Sequence, residues 1–560
     1  MNSFSLDKLK YKIDIKEEPF AFKSVNCPAT VIVTFFNSFG AYSRTESFGL
    51  MDREAIYEKI RKNEDICLDH CYVKDFSLSE YRNKENLGDR DYVVLNNFSA
   101  SHVFFDAEKG IDLSFCEFKG DHISFEGALF GDRDINFYKA KFCDSMVNFS
   151  DAKFGHGNIN FQFAEFGKGN VSFQHTSFGK GDISFVNCEF NQGNVSFKEA
   201  HFDDGAFNIH FSRFGDGDLS FEKARFGNGT VDFRKVEFGK GKVDFRRTNF
   251  GNGTVNFEES EFGGGKINFR SAVFGIGNIS FEMTDFSSGE VSFEKAEFHK
   301  GNISFNNCKI NVSSFKGCHF NNYVDMRVAE AKKIDMSNTV VRDIIDFKPV
   351  KHHVLIEDIN ITGMRNLGRI FVGWKENELY KLISGQVYTS LREKSDQFRT
   401  IKENFSILGH YNEEDSAYVE FKRFEARAEL QEVLKRNRLN AIWMYPLHGF
   451  KWLVFDKMGL YATNPVRVLL SMWVVYGLFS LIYTFLPFIA DAGISCSGAD
   501  NGYVSHIKIA FYYSAITFLT VGYGDCLPVG QVKWMAPMEA WIGVFLMSYF
   551  TVAFVRKILR

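Results

Sequence analysis

Residues 520–525 read Thr-Val-Gly-Tyr-Gly-Asp, and their backbone has the composition of a cation-coordinating loop. A dehydrated cation needs several closely spaced oxygens. The candidates are the backbone carbonyls of Thr520, Val521, Gly522 and Tyr523, with the Thr520 hydroxyl below them. All carbonyls must point one way, which requires alternating backbone conformations, and Gly522 and Gly524 can adopt positive φ without a Cβ clash. The predicted chemistry is reversible binding of a bare cation by backbone oxygens.

Two apolar segments flank this loop. Residues 468–490 carry no charge, and residues 534–555 carry one, Glu539. Each is long enough to cross a hydrocarbon core of about 30 Å. Basic residues precede the first segment and follow the second, at Lys451, Lys457, Arg467, Arg556 and Lys557. The positive-inside rule therefore predicts two spans with both termini in the cytoplasm.

The hexapeptide is identical to the selectivity filter of potassium channels, and residues 463–560 resemble the two-transmembrane members of that family. The resemblance implies K⁺ sites at the carbonyls of Thr520, Val521, Gly522 and Tyr523, completed by Gly524. It also implies a pore helix whose aromatic pair, Tyr512 and Tyr513, includes one hydrogen-bond partner for Asp525 behind the filter. Glu539 and Gly543 match an acid and a hinge-like glycine of the inner helix. Ile516 stands where some relatives have a glutamate, so the inactivation linked to that acid is not carried over.

Cys496 and Cys526 fall on the outer side of the predicted membrane, before the pore helix and just after Asp525. They form either a disulfide that braces the outer mouth or two free thiols. The remaining cysteines are scattered without zinc-ligand spacing, so most are expected to be reduced and buried.

A second pattern fills the middle of the chain. Phenylalanine recurs at every twelfth position from Phe118 to Phe298, and a second series runs from Phe125 to Phe305, interrupted at Ile209. The alternation of Ile, Val or Leu with Phe indicates strands. The repeat resembles the pentapeptide-repeat family and predicts a right-handed β-solenoid. Its coil holds 12 or 24 residues, with 24 preferred on volume. Gly-x-Gly corners are expected to use the positive φ that glycine allows.

Five domains follow from these patterns. They are a mixed α/β cap at 1–115, the solenoid at 116–372, a helical linker at 373–440, an interfacial aromatic and basic segment at 441–464, and the two-span, all-α pore domain with a re-entrant pore loop at 465–560. In the linker, apolar spacing predicts one helix over 379–391 and another over 398–408. No apolar leader precedes the cap, so this part is expected in the cytoplasm.

Together these features predict a homotetrameric, potassium-selective channel in a bacterial inner membrane, with no enzymatic activity. K⁺ is the permeant ion, and no cofactor is expected. The net charge of −4 argues against a nucleic-acid partner. Because the chain ends shortly after the second span, control by the cytoplasmic part, or by an unidentified ligand or protein bound to it, is expected to act through the first span. The alternatives are a membrane-anchored solenoid scaffold for a cytoplasmic partner and a weakly selective cation channel.

Overall fold

The computed structural model describes residues 10–37, 39–349, 355–497 and 503–559. These fall into two units, Met1–Gln386 and Val387–Arg560. The first unit is a β-solenoid that begins in an antiparallel sheet, and the second is helical.

The antiparallel sheet at the start of the first unit leads directly into the solenoid. Its strands alternate buried and partly exposed residues, as at Val31, Val33 and Phe35, because one face packs on the core. The last strand of this sheet pairs in parallel with the first strand of the solenoid, and strand pairing continues past residue 115. The strands are Lys10–Lys16, Phe20–Phe22, Val25–Cys27, Thr30–Phe36 and Tyr42–Met51; two helices follow, α1 (Arg53–Arg61) and α2 (Leu78–Lys84).

Each solenoid coil holds 24 residues. Ile135 pairs with Ile159, Val147 with Val171, and Glu165 with Glu189, so every strand lies beside its equivalent 24 residues later. Two 12-residue repeats therefore make one coil with four short strands, and the preferred coil size is confirmed.

Successive coils stack these strands into four parallel ladders. The first contains Cys71–Lys74, Phe104–Asp106, Leu129–Phe130, Ser177–Phe178, His201–Phe202, Val273–Phe274, Glu297–Phe298, His319–Phe320, Val340–Val341 and Arg365–Asn366. The second contains Ile111–Asp112, Ile135–Asn136, Ile159–Asn160, Ile183–Ser184, Phe207–Asn208, Val231–Asp232, Val255–Asn256, Ile279–Ser280, Ile303–Ser304, Val324–Asp325, Ile344–Asp346 and Arg369–Phe371.

The other two ladders share some longer strands that run around a corner. The third contains Cys116–Lys119, Glu165–Phe166, Glu189–Phe190, Arg213–Phe214, Glu237–Phe238, Glu261–Phe262 and Leu355–Ile356. The fourth contains His122–Ser124, Met146–Asn148, Val171–Ser172, Val195–Ser196, Leu219–Ser220, Val243–Asp244, Lys266–Asn268 and Ile359–Asn360. The shared strands are Asp65–Cys67, Val93–Ser99, Asp285–Ser292, Lys309–Ser314 and Glu330–Asp335.

Phenylalanine rings form the core of the solenoid. The rings of Phe137 and Phe161 stack with centroids 4.6 Å apart and 2° between planes, and Phe149 stacks on Phe173 at 4.9 Å. Stacked rings at this spacing bury large apolar area on both faces. The 12-residue period therefore places each phenylalanine on its equivalent in the next coil.

The prediction that Gly-x-Gly corners supply positive φ is wrong at most positions. Positive φ occurs instead two residues after the second phenylalanine of each repeat, as at His175 and Lys223. Glycine is needed at the corners for space: a Cβ on Gly179 or Gly181 would lie 1.9 or 2.0 Å from a carbonyl oxygen of the preceding coil. These glycines allow the close approach of neighbouring backbones.

Four helices and several tight turns precede the membrane segment. α3 (Leu379–Ser384) ends the first unit; α4 (Leu391–Leu408), α5 (Tyr411–Arg436) and α6 (Ala441–Lys451) begin the second. The predicted helix over 379–391 is wrong, because Ser390 and Glu393 form a capping box that starts α4 at Leu391. α4 ends at Gly409, which has φ +72°. The turns are 3₁₀ at Arg438–Asn440 and Leu460–Ala462, and π-helical at Trp452–Lys457.

Three helices form the end of the chain. α7 (Pro465–Phe485) continues through a 3₁₀ turn at Leu486–Phe488, α8 (Tyr503–Phe518) is shorter, and α9 (Val532–Ile558) is long. Strand Ala492–Cys496 pairs antiparallel with Cys526–Gly530 across the loop side of α8. α7 with its extension and α9 have 24 and 27 residues, are apolar, and remain largely uncovered by the chain, as suits helices that face lipid.

Candidate functional site

The loop between α8 and the strand Cys526–Gly530 has alternating backbone handedness. Thr520, Gly522 and Gly524 have φ of +54°, +57° and +77°. The positive φ predicted for the two glycines is confirmed, and that of Thr520 was not predicted. In such an alternating backbone, successive carbonyls can point to the same side. The loop is exposed in the single chain, with Val521 46% and Tyr523 72% accessible.

The start of this loop is tied to the end of α8. The Thr520 amide donates to the Thr517 carbonyl at 3.0 Å, and the Val521 amide donates to the Ile516 carbonyl at 2.9 Å. The Thr520 hydroxyl donates to the Leu519 carbonyl at 2.7 Å. The helix end therefore fixes where the loop begins, and Ile516 contributes its backbone to this arrangement.

The end of the loop is held by three further contacts. The Tyr512 hydroxyl donates to Asp525 Oδ2 at 2.7 Å. The Ser497 amide donates to the Asp525 carbonyl at 3.0 Å. Cys496 and Cys526 are joined by a disulfide between the two paired strands. Tyr513 points elsewhere: its ring is buried and lies 5.5 Å from that of Tyr483 on α7.

Glu539 is fully buried and connects α9 to α8. Ser514 Oγ donates to Glu539 Oε1 at 2.5 Å. The Tyr483 hydroxyl interacts with the same carboxyl, although it and Glu539 Oε2 do not reach hydrogen-bond geometry. Because a buried carboxyl needs polar partners, this group holds the three helices together behind the loop. Sequence reasoning missed Ser514 and Tyr483; polar residues inside apolar segments were the available signal.

Gly543 lies where α9 crosses the end of α8. A Cβ at this position would lie 2.0 Å from the Phe518 carbonyl oxygen, so the residue must be glycine for the two helices to approach this closely. α9 continues as a helix through Gly543. The structure thus gives this glycine a packing role two residues before the loop begins.

The intracellular-side end of α9, as the charge pattern orients it, contacts α5 directly. Asp415 Oδ1 accepts from Arg556 at 3.1 Å, and Asp415 Oδ2 accepts from Lys557 at 3.0 Å. The Arg556 guanidinium also lies over the Tyr418 ring, 4.3 Å from its centroid. The expectation that the linker reaches the pore through the first span alone is therefore wrong, because α5 is bonded to the end of the second long helix.

α5 also contacts the segment that precedes α7. Arg423 donates to Asp456 at 2.7 Å and to Glu420 at 2.7 Å. Burial raises the pKa of Glu420, while the Arg423 guanidinium favours its charged form. Tyr549 of α9 accepts from the Ala462 amide at 3.0 Å and donates to the Phe455 carbonyl at 3.3 Å. One helix is thus linked to both membrane-length helices.

Comparison with known proteins agrees with this architecture. A family described as ion channels matches residues 468–560. The chain is 34% identical to Protein LctB of Bacillus caldotenax over 110 residues, which are 19% of this chain and 77% of that protein. It is 34% identical to Protein LctB of Geobacillus stearothermophilus over 85 residues, 14% of this chain and 63% of that one. No solved structure gives a significant match.

Proposed function

Since the chain belongs to the ion-channel family through residues 468–560, we propose that it conducts K⁺ selectively and passively through the loop 520–525. The observation that carries the proposal is the alternating positive φ of Thr520, Gly522 and Gly524. This conformation can align the carbonyls of Thr520, Val521, Gly522 and Tyr523 into a column of oxygens that replaces the hydration shell of K⁺. No cofactor is needed, because the ion moves down its own gradient.

The conducting unit is a homotetramer. One chain supplies one column of carbonyls, and a cation needs oxygens on all sides. The exposed faces of Val521 and Tyr523 in the single chain leave this loop free to meet copies of itself. Asp525, Tyr512, Tyr513 and Glu539 support the loop, and the disulfide between Cys496 and Cys526 braces its outer side.

The channel lies in a bacterial plasma membrane with both termini in the cytoplasm. Arg467, Arg556 and Lys557 mark the cytoplasmic side of the two spans. α6 exposes Trp443, Tyr445 and Phe450 to solvent in the single chain, and such aromatics favour the lipid headgroup region. The domain boundaries at 440 and 464 therefore enclose an interfacial segment.

The amino-terminal unit and its linker regulate the pore. The contacts of α5 with Asp456 and with the end of α9 give the linker a mechanical connection to both spans. An unidentified ligand or protein that binds the amino-terminal unit would then bias opening by favouring one arrangement of these helices.

The reversal potential of the purified protein in a planar bilayer tests conduction and selectivity together. With opposed K⁺ and Na⁺ gradients, the wild type should reverse near the K⁺ equilibrium potential. Gly522→Ala should shift this value toward zero or abolish current, because alanine at φ +57° is strained. Gly493→Ala is the matched control, since a Cβ there meets nothing within 4 Å.

A wild-type reversal potential near zero would contradict potassium selectivity while leaving a cation pore. Equal reversal potentials for Gly522→Ala and wild type would contradict the assignment of the loop. Absence of current in every patch would favour the scaffold alternative.

A further inference from the structure

Two cysteine side chains meet in the amino-terminal sheet, far from the proposed pore loop in sequence. Cys27 ends the strand Val25–Cys27, and Cys71 begins the strand Cys71–Lys74. Their Sγ atoms are 4.0 Å apart, and the two residues are 3% and 0% exposed. The sulfurs are therefore in near van der Waals contact across 44 residues of chain.

Gly49 creates the space in which the sulfurs meet. It pairs with Cys71 in the parallel ladder. A Cβ on Gly49 would lie 2.7 Å from Cys27 Sγ. Any larger residue would push the Cys27 side chain away from its partner, so this glycine permits the sulfur contact.

The cysteines of the solenoid core have a different environment. Cys188, Cys308 and Cys318 each donate to a backbone carbonyl oxygen, at 2.9, 2.6 and 2.8 Å. They serve as small buried donors, in the same column as Thr176 and Ser212. The contact of one thiol with another distinguishes Cys27 and Cys71 from these residues.

We propose that Cys27 and Cys71 are a redox modification site that is oxidised reversibly to a disulfide by a peroxide. The peroxide first oxidises one thiol to a sulfenic acid and releases one water. The other thiolate then attacks that sulfur, the S–S bond forms, and a second water leaves. Overall, two thiols lose two protons and two electrons, and the O–O bond of the peroxide is broken.

Oxidation would fasten the hairpin that contains Cys27 to the first strand of the solenoid. The sulfurs must approach from 4.0 Å to about 2.05 Å, which is within reach of side-chain rotation and a small strand shift. The bond would close a loop of the chain and restrict its local unfolding. Thiol reductants of the cytoplasm would reverse it.

Peptide mapping of the full-length protein after peroxide treatment tests the proposal. The folded protein in detergent is exposed to graded H₂O₂, free thiols are alkylated, and trypsin is added without reductant. The peptide 24–44 carries Cys27, and the peptide 63–74 carries both Cys67 and Cys71. A disulfide-linked pair of these peptides should accumulate with peroxide and disappear after dithiothreitol.

Two variants assign the bond. Cys67→Ser should retain the linked pair, whereas Cys71→Ser should lose it. Circular dichroism and the elution volume of each variant check that it is folded. Recovery of both peptides unlinked from the wild type, or loss of the link in Cys67→Ser, would overturn the proposal. Neither result bears on conduction, which does not depend on this pair.

Discussion

Ser514 is the residue on which the buried carboxyl of Glu539 depends for a hydrogen bond. Ser514→Ala should destabilise the helical unit by about 1–3 kcal/mol, because it leaves a buried polar atom without its partner. The measurement is thermal denaturation of the purified protein, followed by the loss of its native elution peak.

Ser480 provides the matched control. Its hydroxyl is also buried but has no hydrogen-bond partner among the residues that the structure describes. Ser480→Ala should leave the midpoint within error or raise it. Equal losses for the two variants would show that buried volume, and not the bond to Glu539, determines the effect.

Single residues in the loop were predictable where chemistry demands one residue type. The positive φ of Gly522 and Gly524 followed from the need to align carbonyls. The choice between Tyr512 and Tyr513 was not predictable, because adjacent residues on a helix point in different directions and only packing decides which one faces Asp525. The structure turns Tyr512 toward the loop and Tyr513 toward α7.

Gly543 determines how closely α9 approaches α8. Gly543→Ala should displace α9 and cost about 1–3 kcal/mol, because its Cβ would collide with the Phe518 carbonyl. Since Phe518 is two residues from Thr520, the reversal potential should also shift away from the K⁺ value. Gly477→Ala in α7, where a Cβ meets nothing within 4 Å, is the control.

This experiment separates packing from a hinge. A glycine that serves only as a hinge would change open probability in Gly543→Ala and leave the reversal potential and stability of the channel unchanged. That outcome would contradict the packing role.

The bond between α5 and the end of α9 makes a second prediction for the elements. Asp415→Asn weakens the contacts with both Arg556 and Lys557. The open–closed equilibrium should shift by roughly fivefold or more if α5 holds α9 in one state. Single-channel recording gives the open probability directly.

Glu432→Gln is the matched variant on the same helix. Glu432 pairs with Arg392 of α4 and contacts neither span. It should leave open probability unchanged. If Asp415→Asn behaves like Glu432→Gln, the linker does not act on the pore through α9.

Elements with a repeating pattern were predictable, and isolated contacts were not. The 12-residue period indicated strands and a solenoid, but it does not distinguish a coil of one repeat from a coil of two; the space needed by stacked phenylalanines decides this. The start of α4 could have been found from Ser390 and Glu393, a capping-box pair. The contact of Asp415 with Lys557 joins residues 142 apart, and no local pattern marks it.

At the scale of the whole molecule, the two units are joined at an accessible point. Val387, the first residue of the second unit, is 95% exposed. A protease site inserted after Val387 allows the amino-terminal unit to be removed from an assembled channel. If that unit regulates the pore, cleavage in an inside-out patch should change open probability, while the reversal potential stays the same.

The uncut channel with the same insertion, and the wild type treated with protease, are the controls. Unchanged open probability after complete cleavage would contradict regulation by the amino-terminal unit. A shift in reversal potential would show that the cut damages the pore itself.

The 24-residue coil also limits how a gene of this kind can lengthen or shorten. Duplication of 24 codons adds one full coil, and each new phenylalanine finds an identical neighbour above and below. Duplication of 12 codons preserves the repeat but adds only half a turn, so everything after it emerges from the opposite side of the stack. Recombination between repeats is therefore expected to leave viable descendants in steps of two repeats, and an odd number would redirect the rest of the chain.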